Sequence, residues 1–159
     1  MITVRIEGLE RVMGKLEPAL WKGPLREFLE AAALGVERDA KKKAPVDTGR
    51  LRSSITHEVE DTLARVGTDV DYAAFMEYGT GTQTDGPGGG GRHWPPTAGL
   101  DPWAARKGLD PFLVARAIGR RGGLVPRRYL RGALEENLGR IKRLLGKMGE
   151  EIRGKWDSQ

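Results

Sequence analysis

Three carboxylates at short spacing, Asp69, Asp71 and Glu77, are the side chains best placed to do chemistry, because grouped carboxylates hold Mg²⁺ in metal-dependent nucleases. Asp69 and Asp71 flank Val70 at an expected strand end, where aspartate also caps the helix that follows. No lysine or histidine lies nearby to complete a nuclease site, so capping is the preferred reading. Gly79-Thr80-Gly81-Thr82-Gln83-Thr84, with the glycine tract at 86–91 behind it, invites comparison with a phosphate loop. Such a loop ends in Gly-Lys-Ser/Thr and runs into a helix, so that backbone amides and the lysine converge on phosphate. Here Gly91 runs into Arg92-His93-Trp94-Pro95-Pro96, which cannot start that helix. The chain has no cysteine and two histidines, His57 and His93. That excludes thiol nucleophiles, thiolate zinc sites and disulfides, and leaves almost no material for a histidine metal site or a catalytic triad. No catalytic, cofactor-binding or metal-binding residue is assigned, no cofactor is expected, and the chain reads as a non-enzyme.

Binding is the better-supported chemistry. Arg116, Arg120, Arg121, Arg127, Arg128 and Arg131 form the densest basic stretch, with Tyr129 among them. It could track a phosphate backbone, so nucleic-acid binding through Arg116–Arg131 stands as the alternative reading. No helix-turn-helix spacing or RNA-binding signature accompanies it. Arginines also pair with carboxylates across subunit interfaces, and a protein interface is favoured. Residues 1–101 carry a net charge of −3 and residues 102–159 a net of +8, which would suit two unlike faces. His93 beside Trp94, together with Trp103, could make an aromatic docking patch, or the rings could fold back over the domain's own edge. His57 shares a strand face with Ile55 and Val59 and reads as structural.

The elements that must position these residues follow from periodicity. With 159 residues and 38% apolar composition, the chain supports one core, and a single domain over 1–159 is expected. Ile2, Val4 and Ile6 alternate as a strand, lacking the apolar run of a secretion signal. Leu9, Val12, Met13, Leu16 and Leu20 step as a short helix that Pro18 disturbs. A second helix is expected over 24–43, with Pro24 as its first residue and Pro45 beyond its end. Asp47 or Thr48 caps a single turn, and residues 55–60 and 63–67 alternate as a hairpin around Asp61-Thr62. Tyr72, Phe75 and Met76 share a face of a short helix, and both Leu51 and Tyr72 are expected to anchor helices on the sheet. From 79 to 108 periodicity vanishes amid nine glycines and four prolines, the mark of a long surface loop. Helical character returns over 111–121 through Phe112, Leu113, Ala115, Ala117 and Ile118. A last helix over about 127–155 carries Leu134, Leu138, Ile141, Leu145, Met148 and Ile152 at steps of four and three. The expected fold class is α+β, a small antiparallel sheet packed against long amphipathic helices. No run of 18 apolar residues is present, so no membrane partner is expected.

Three segments together resemble one known family. Ala44-Pro45-Val46-Asp47-Thr48-Gly49-Arg50-Leu51-Arg52-Ser53-Ser54-Ile55 is similar to its "AP-hydrophobic-DTG-x-LR-x-SI" signature. Val66 to Thr80, with Tyr72-Ala73-Ala74-Phe75-Met76-Glu77-Tyr78-Gly79-Thr80 at its core, resembles the second block. Pro126-Arg127-Arg128-Tyr129-Leu130-Arg131 resembles the closing "PRPFLRPA" block, with Arg128 and Gly132 where prolines are common. The family is the tail-completion or head–tail joining (neck) proteins of tailed bacteriophages, of the minor tail protein Z type. The resemblance implies a structural virion protein, made in the host cytoplasm, that completes the head-proximal end of the tail. Its implied partners are tail terminator, tail tube and head-completion proteins and copies of itself in a ring, six-fold in the family pattern. On that reading Asp47, Arg50, Arg52, Glu77, Trp94, Trp103, Arg120, Arg121, Arg127, Arg128 and Arg131 are the candidate partner-interface residues, with channel DNA a secondary contact.

Overall fold

The computed structural model describes residues 2–4, 14–15, 17–86 and 90–158. The expected helix through Leu9, Val12, Met13 and Leu16, the strand's continuation to Ile6 and the centre of the glycine tract lie outside the described residues. The chain falls into two compact units: Met1–Lys43, Arg52–Asp69 and Leu130–Gln159 form the first, Ala44–Leu51 and Val70–Tyr129 the second.

In the first unit, β1 (Ile2–Val4), β2 (Thr56–Glu60) and β3 (Leu63–Gly67) form an antiparallel sheet in the order β1-β3-β2. The hairpin turns at Asp61-Thr62 as expected, with Glu60 opposite Leu63 and Val59 opposite Ala64. One sheet face, with Ala64 and Val66 buried, packs under α1 (Pro18–Lys43), which buries Leu25, Phe28, Leu29, Ala32, Val36 and Ala40 at helical spacing. The edge strand β2 turns Thr56, Glu58 and Glu60 to solvent. Helix α1 starts at Pro18 and runs through Pro24, a turn and a half earlier than expected. Leu20 is already buried, and continuing that stripe outweighs the one backbone hydrogen bond that Pro24 cannot make. Lys41, Lys42 and Lys43 close the helix at the negative end of its dipole.

The last helix, α6 (Tyr129–Asp157), adds Leu130, Ala133, Asn137, Ile141 and Met148 to the buried set. This corrects the expected seam, of which only Ile141 and Met148 are buried, while Leu138 is 47% exposed. A 3.6-residue helix drifts off a strict seven-residue stripe, and the register here centres on a polar residue. Asn137 Nδ2 donates to Asp39 Oδ2 and to the Ala133 carbonyl, both at 2.9 Å. Together with Arg38, that bond holds the Asp39 carboxyl well below the usual carboxylate range. Lys43 Nζ reaches Glu136 Oε1 at 2.6 Å, a second tie between the two helices.

His57 is the structural histidine of β2. Its Nδ1 bonds Glu37, its Nε2 lies 3.2 Å from Glu30 Oε2, and Lys41 Nζ lies 2.5 Å from the other Glu37 oxygen. The Glu37 bond raises the His57 pKa above 6.5 against the opposing effect of burial. Burial would raise Glu37 in turn, but Lys41 and His57 lower it overall. A raised histidine stabilises the fold fully below its unfolded pKa, and this contribution is lost as pH climbs through the folded value. The melting temperature is therefore expected to fall as pH rises from below 6.5 through that elevated value, and His57→Gln should flatten this slope in circular-dichroism melts. An unchanged slope in the variant would remove the histidine from the pH response.

The second unit holds α3 (Ala73–Tyr78), a 3₁₀ turn at Gly81–Gln83, α4 (Thr97–Lys107) and α5 (Pro111–Arg120). Helix α2 (Arg50–Ser54) lies where the chain passes from one unit to the other, its first N–H donating to Thr48 Oγ1 at 3.4 Å. Helix α4 occupies part of the stretch expected to be loop over 79–108. Gly99 and Pro102 mask its periodicity, yet Gly108 (φ 65°) ends it in a Schellman motif, Leu109 N–H donating to the Ala104 carbonyl at 2.9 Å. Helix α5 packs on α4 and starts where expected: Asp110 Oδ1 accepts from the N–H groups of Phe112 (2.7 Å) and Leu113 (3.2 Å), with Pro111 in the first turn.

The expected charge split does not survive folding. The first unit carries 18 Lys/Arg and 16 Asp/Glu, the second 9 and 6, so their net charges are +2 and +3. The reason is topological: the strongly basic stretch 102–129 (net +6) shares the second unit with the acidic stretch 70–101 (net −3), while 130–159 (net +2) returns to the first.

Candidate partner interface

Two of the three motif blocks meet inside the second unit. The Thr80 N–H donates to the Leu124 carbonyl at 2.9 Å, and Leu124 N–H returns a bond to Thr80 Oγ1 at 2.9 Å. Arg127 N–H donates to the Met76 carbonyl (2.8 Å) and Arg128 N–H to that of Glu77 (3.2 Å). Thr82 and His93 both donate to the Gly122 carbonyl, at 3.0 and 3.2 Å. The segment after α5 is thus laced to the end of α3 and the turn beyond it.

This lacing sets which side chains face out. Helix α3 buries Ala73 and Glu77, one turn apart, and turns Tyr72 and Phe75 to solvent, with Phe75 52% exposed. Glu77, at 3% exposure, is therefore no surface residue and is corrected as an interface candidate. Tyr72 is likewise not the expected anchor; Tyr129 is the fully buried tyrosine of the unit, and Leu51 is buried as expected. Periodicity had grouped Tyr72, Phe75 and Met76 on one face but could not say which face meets the core.

The other candidates distribute as follows. Asp47 is engaged within its own unit, paired with Arg106 and 3.9 Å from Lys107 Nζ. Arg50 and Arg52 are exposed on α2, while Arg131 is half-buried on α6 in the other unit. Trp94 is 54% exposed and its ring lies against Gly119, so it folds back in part over its own unit; Trp103 is half-buried. Arg120 and Arg121 line a shallow groove with Leu113, Arg116 and Ala117. Arg127 is exposed. Arg128 is exposed too, its Nε 2.5 Å from Asp85 Oδ2, and its φ of 49° is one that a proline ring forbids. The departure from the family's proline pattern at this position is thus built into the backbone.

Reading from sequence missed Phe112 and Leu113, which α5 presents outward next to Arg116 and Arg120. Of the large apolar side chains exposed among the described residues, Val46, Tyr72, Phe75, Trp94, Leu109, Phe112, Leu113 and Val125 belong to the second unit and only Leu34, Leu138 and Trp156 to the first. Large exposed apolar side chains are thus denser on the second unit than on the first. Among the described residues, no group of three or more histidine, aspartate or glutamate side chains could hold a metal ion, and Asp69 and Asp71 are both exposed. No helix of the described residues is long and apolar enough to cross a membrane.

Residues 7–79 match the family described as "Bacteriophage HK97-gp10, putative tail-component". The match spans the first motif block and the second up to Gly79 and bears out the resemblance to a phage tail family; the closing block at 126–131 lies beyond it. No curated protein and no solved structure matches the chain.

Proposed function

We propose that this chain is a non-enzymatic structural protein of a tailed-phage virion, of the minor tail protein Z type, that completes the head-proximal end of the tail and enables head–tail joining. It does so as one module over 1–159, in a homo-oligomeric ring following the tail's six-fold symmetry, between tail-tube, tail-terminator and head-completion proteins. The observation that carries the reading is the gathering of exposed apolar side chains beside arginines on the second unit, in a chain whose residues 7–79 match a phage tail family. Phe112 and Leu113 next to Arg116 and Arg120 favour a protein partner over a phosphate backbone, which has nothing to cover exposed apolar carbon.

Removing the gene from its phage is expected to leave full heads and tails unjoined, with infectious titre restored by the wild-type chain in trans. A Phe75→Ser/Arg127→Glu chain, altered only at exposed positions, should keep its melting temperature and restore titre at least about tenfold less well. Normal joining without the gene would overturn the reading.

A further inference from the structure

We propose that α5 of one copy docks antiparallel on α1 of another, Leu113 against Leu34, Arg116 against Glu30 and Arg120 against Glu27, with Ala117 and Ala31 at the crossing. The proposal rests on the reading of the chain as a self-associating part. It starts from two shallow grooves, one lined by Leu113, Arg116, Ala117 and Arg120, the other by Glu27, Glu30, Ala31 and Leu34. Both sets have the spacing i, i+3, i+4, i+7, so each forms one stripe about 10.5 Å long. In chain order the first reads Leu-Arg-Ala-Arg and the second Glu-Glu-Ala-Leu. Reversing one against the other sets Leu113 on Leu34 and Arg120 on Glu27; between them the i+3 residues Arg116 and Glu30 share one side of the contact and the i+4 alanines the other, each pair offset by about 1.5 Å along the axis. The central alanines allow the backbones a close approach.

The side chains are free to do this. Leu113 is 57% exposed and Leu34 56%, and both need apolar cover. No described residue pairs with Arg116 or Arg120. Glu30 bonds His57 through Oε2, leaving Oε1 to receive a guanidinium. Arg26 also lines the α1 groove and Arg121 the α5 groove, so the fit lies in the register of the pairs and not in net charge. Because the two stripes are different surfaces, the contact is head-to-tail, the kind that propagates to a further copy or closes a ring.

The chain has no cysteine, which makes the register directly testable. Leu34→Cys and Leu113→Cys chains, mixed and mildly oxidised, are expected to give a disulfide-linked pair at least about tenfold more abundant than either chain alone. Glu27→Cys with Arg120→Cys should do the same, whereas Glu27→Cys with Leu113→Cys, at opposite ends of the stripe, should not. Separately, Arg120→Glu or Glu27→Arg should each weaken self-association in sedimentation by on the order of tenfold, and mixing the two variants should restore it. Cross-linking that ignores the register, reversals without effect, or a wild-type chain that stays monomeric at its highest soluble concentration would each overturn the contact. If the contact fails while phage lacking the gene still leave heads and tails unjoined, the virion role stands and only the copy-to-copy docking falls.

Discussion

Gly123→Ala is expected to destabilise the second unit by about 4 kcal/mol, a large share of the about 5–15 kcal/mol that ordinarily holds a domain folded. Gly123 has a φ of +148°, and a Cβ built there would run into the Thr80 carbonyl oxygen. That oxygen belongs to backbone tied in place by the Thr80–Leu124 bonds, so it cannot swing aside as a side chain would. The cost therefore combines a backbone conformation that L-residues rarely adopt with displacement of the strand-like lacing itself. Gly108→Ala is the matched control: its φ is +65°, but nothing lies within 4 Å of the added carbon. It should cost only about 1–2 kcal/mol, the left-handed penalty alone. Urea or thermal unfolding of the pair checks this, and equal losses would show that the crossing of 80 and 123 is not a rigid contact.

The second large effect is at Tyr129. Its ring is fully buried, and its hydroxyl has no hydrogen-bond partner among the described residues. Burial, then the proximity of Glu77, pushes the phenol pKa far up, so it stays neutral at any pH the protein meets. Tyr129→Ala removes the ring and leaves a cavity, at an expected cost of about 3–5 kcal/mol. Tyr129→Phe keeps the ring and removes only the unsatisfied oxygen, and is expected to leave stability unchanged or raise it by about 1 kcal/mol. A loss for Tyr129→Phe comparable to that for Tyr129→Ala would mean that the hydroxyl has a partner.

These two sites also show what sequence reading reaches. The hairpin was legible because Thr56–Glu60 and Leu63–Gly67 alternate about a polar dipeptide, and α5 because Asp110-Pro111 is a strong start signal. The stripe on α1 was legible too, though not its start, since a proline inside a helix reads as a boundary. Tyr129 was not: it sat in an arginine-rich run that looked like surface, and its burial depends on partners distant in the chain. For the same reason Tyr72, expected as an anchor, stands outside the core with Phe75 of its face, Phe112 and Leu113, which in the sequence mark only a helix, are exposed, and Glu77, an interface candidate, lies inside. Periodicity groups residues onto faces; only tertiary packing decides which face is covered. The candidate interface was therefore legible in its arginines and hidden in its apolar half.

The outward row of carboxylates on β2 has a consequence for how copies can come together. Two such borders laid side by side would oppose Glu58 and Glu60 with their own kind, which discourages runaway sheet extension between molecules. Along this margin the chain is thereby protected from stacking edge to edge into filaments.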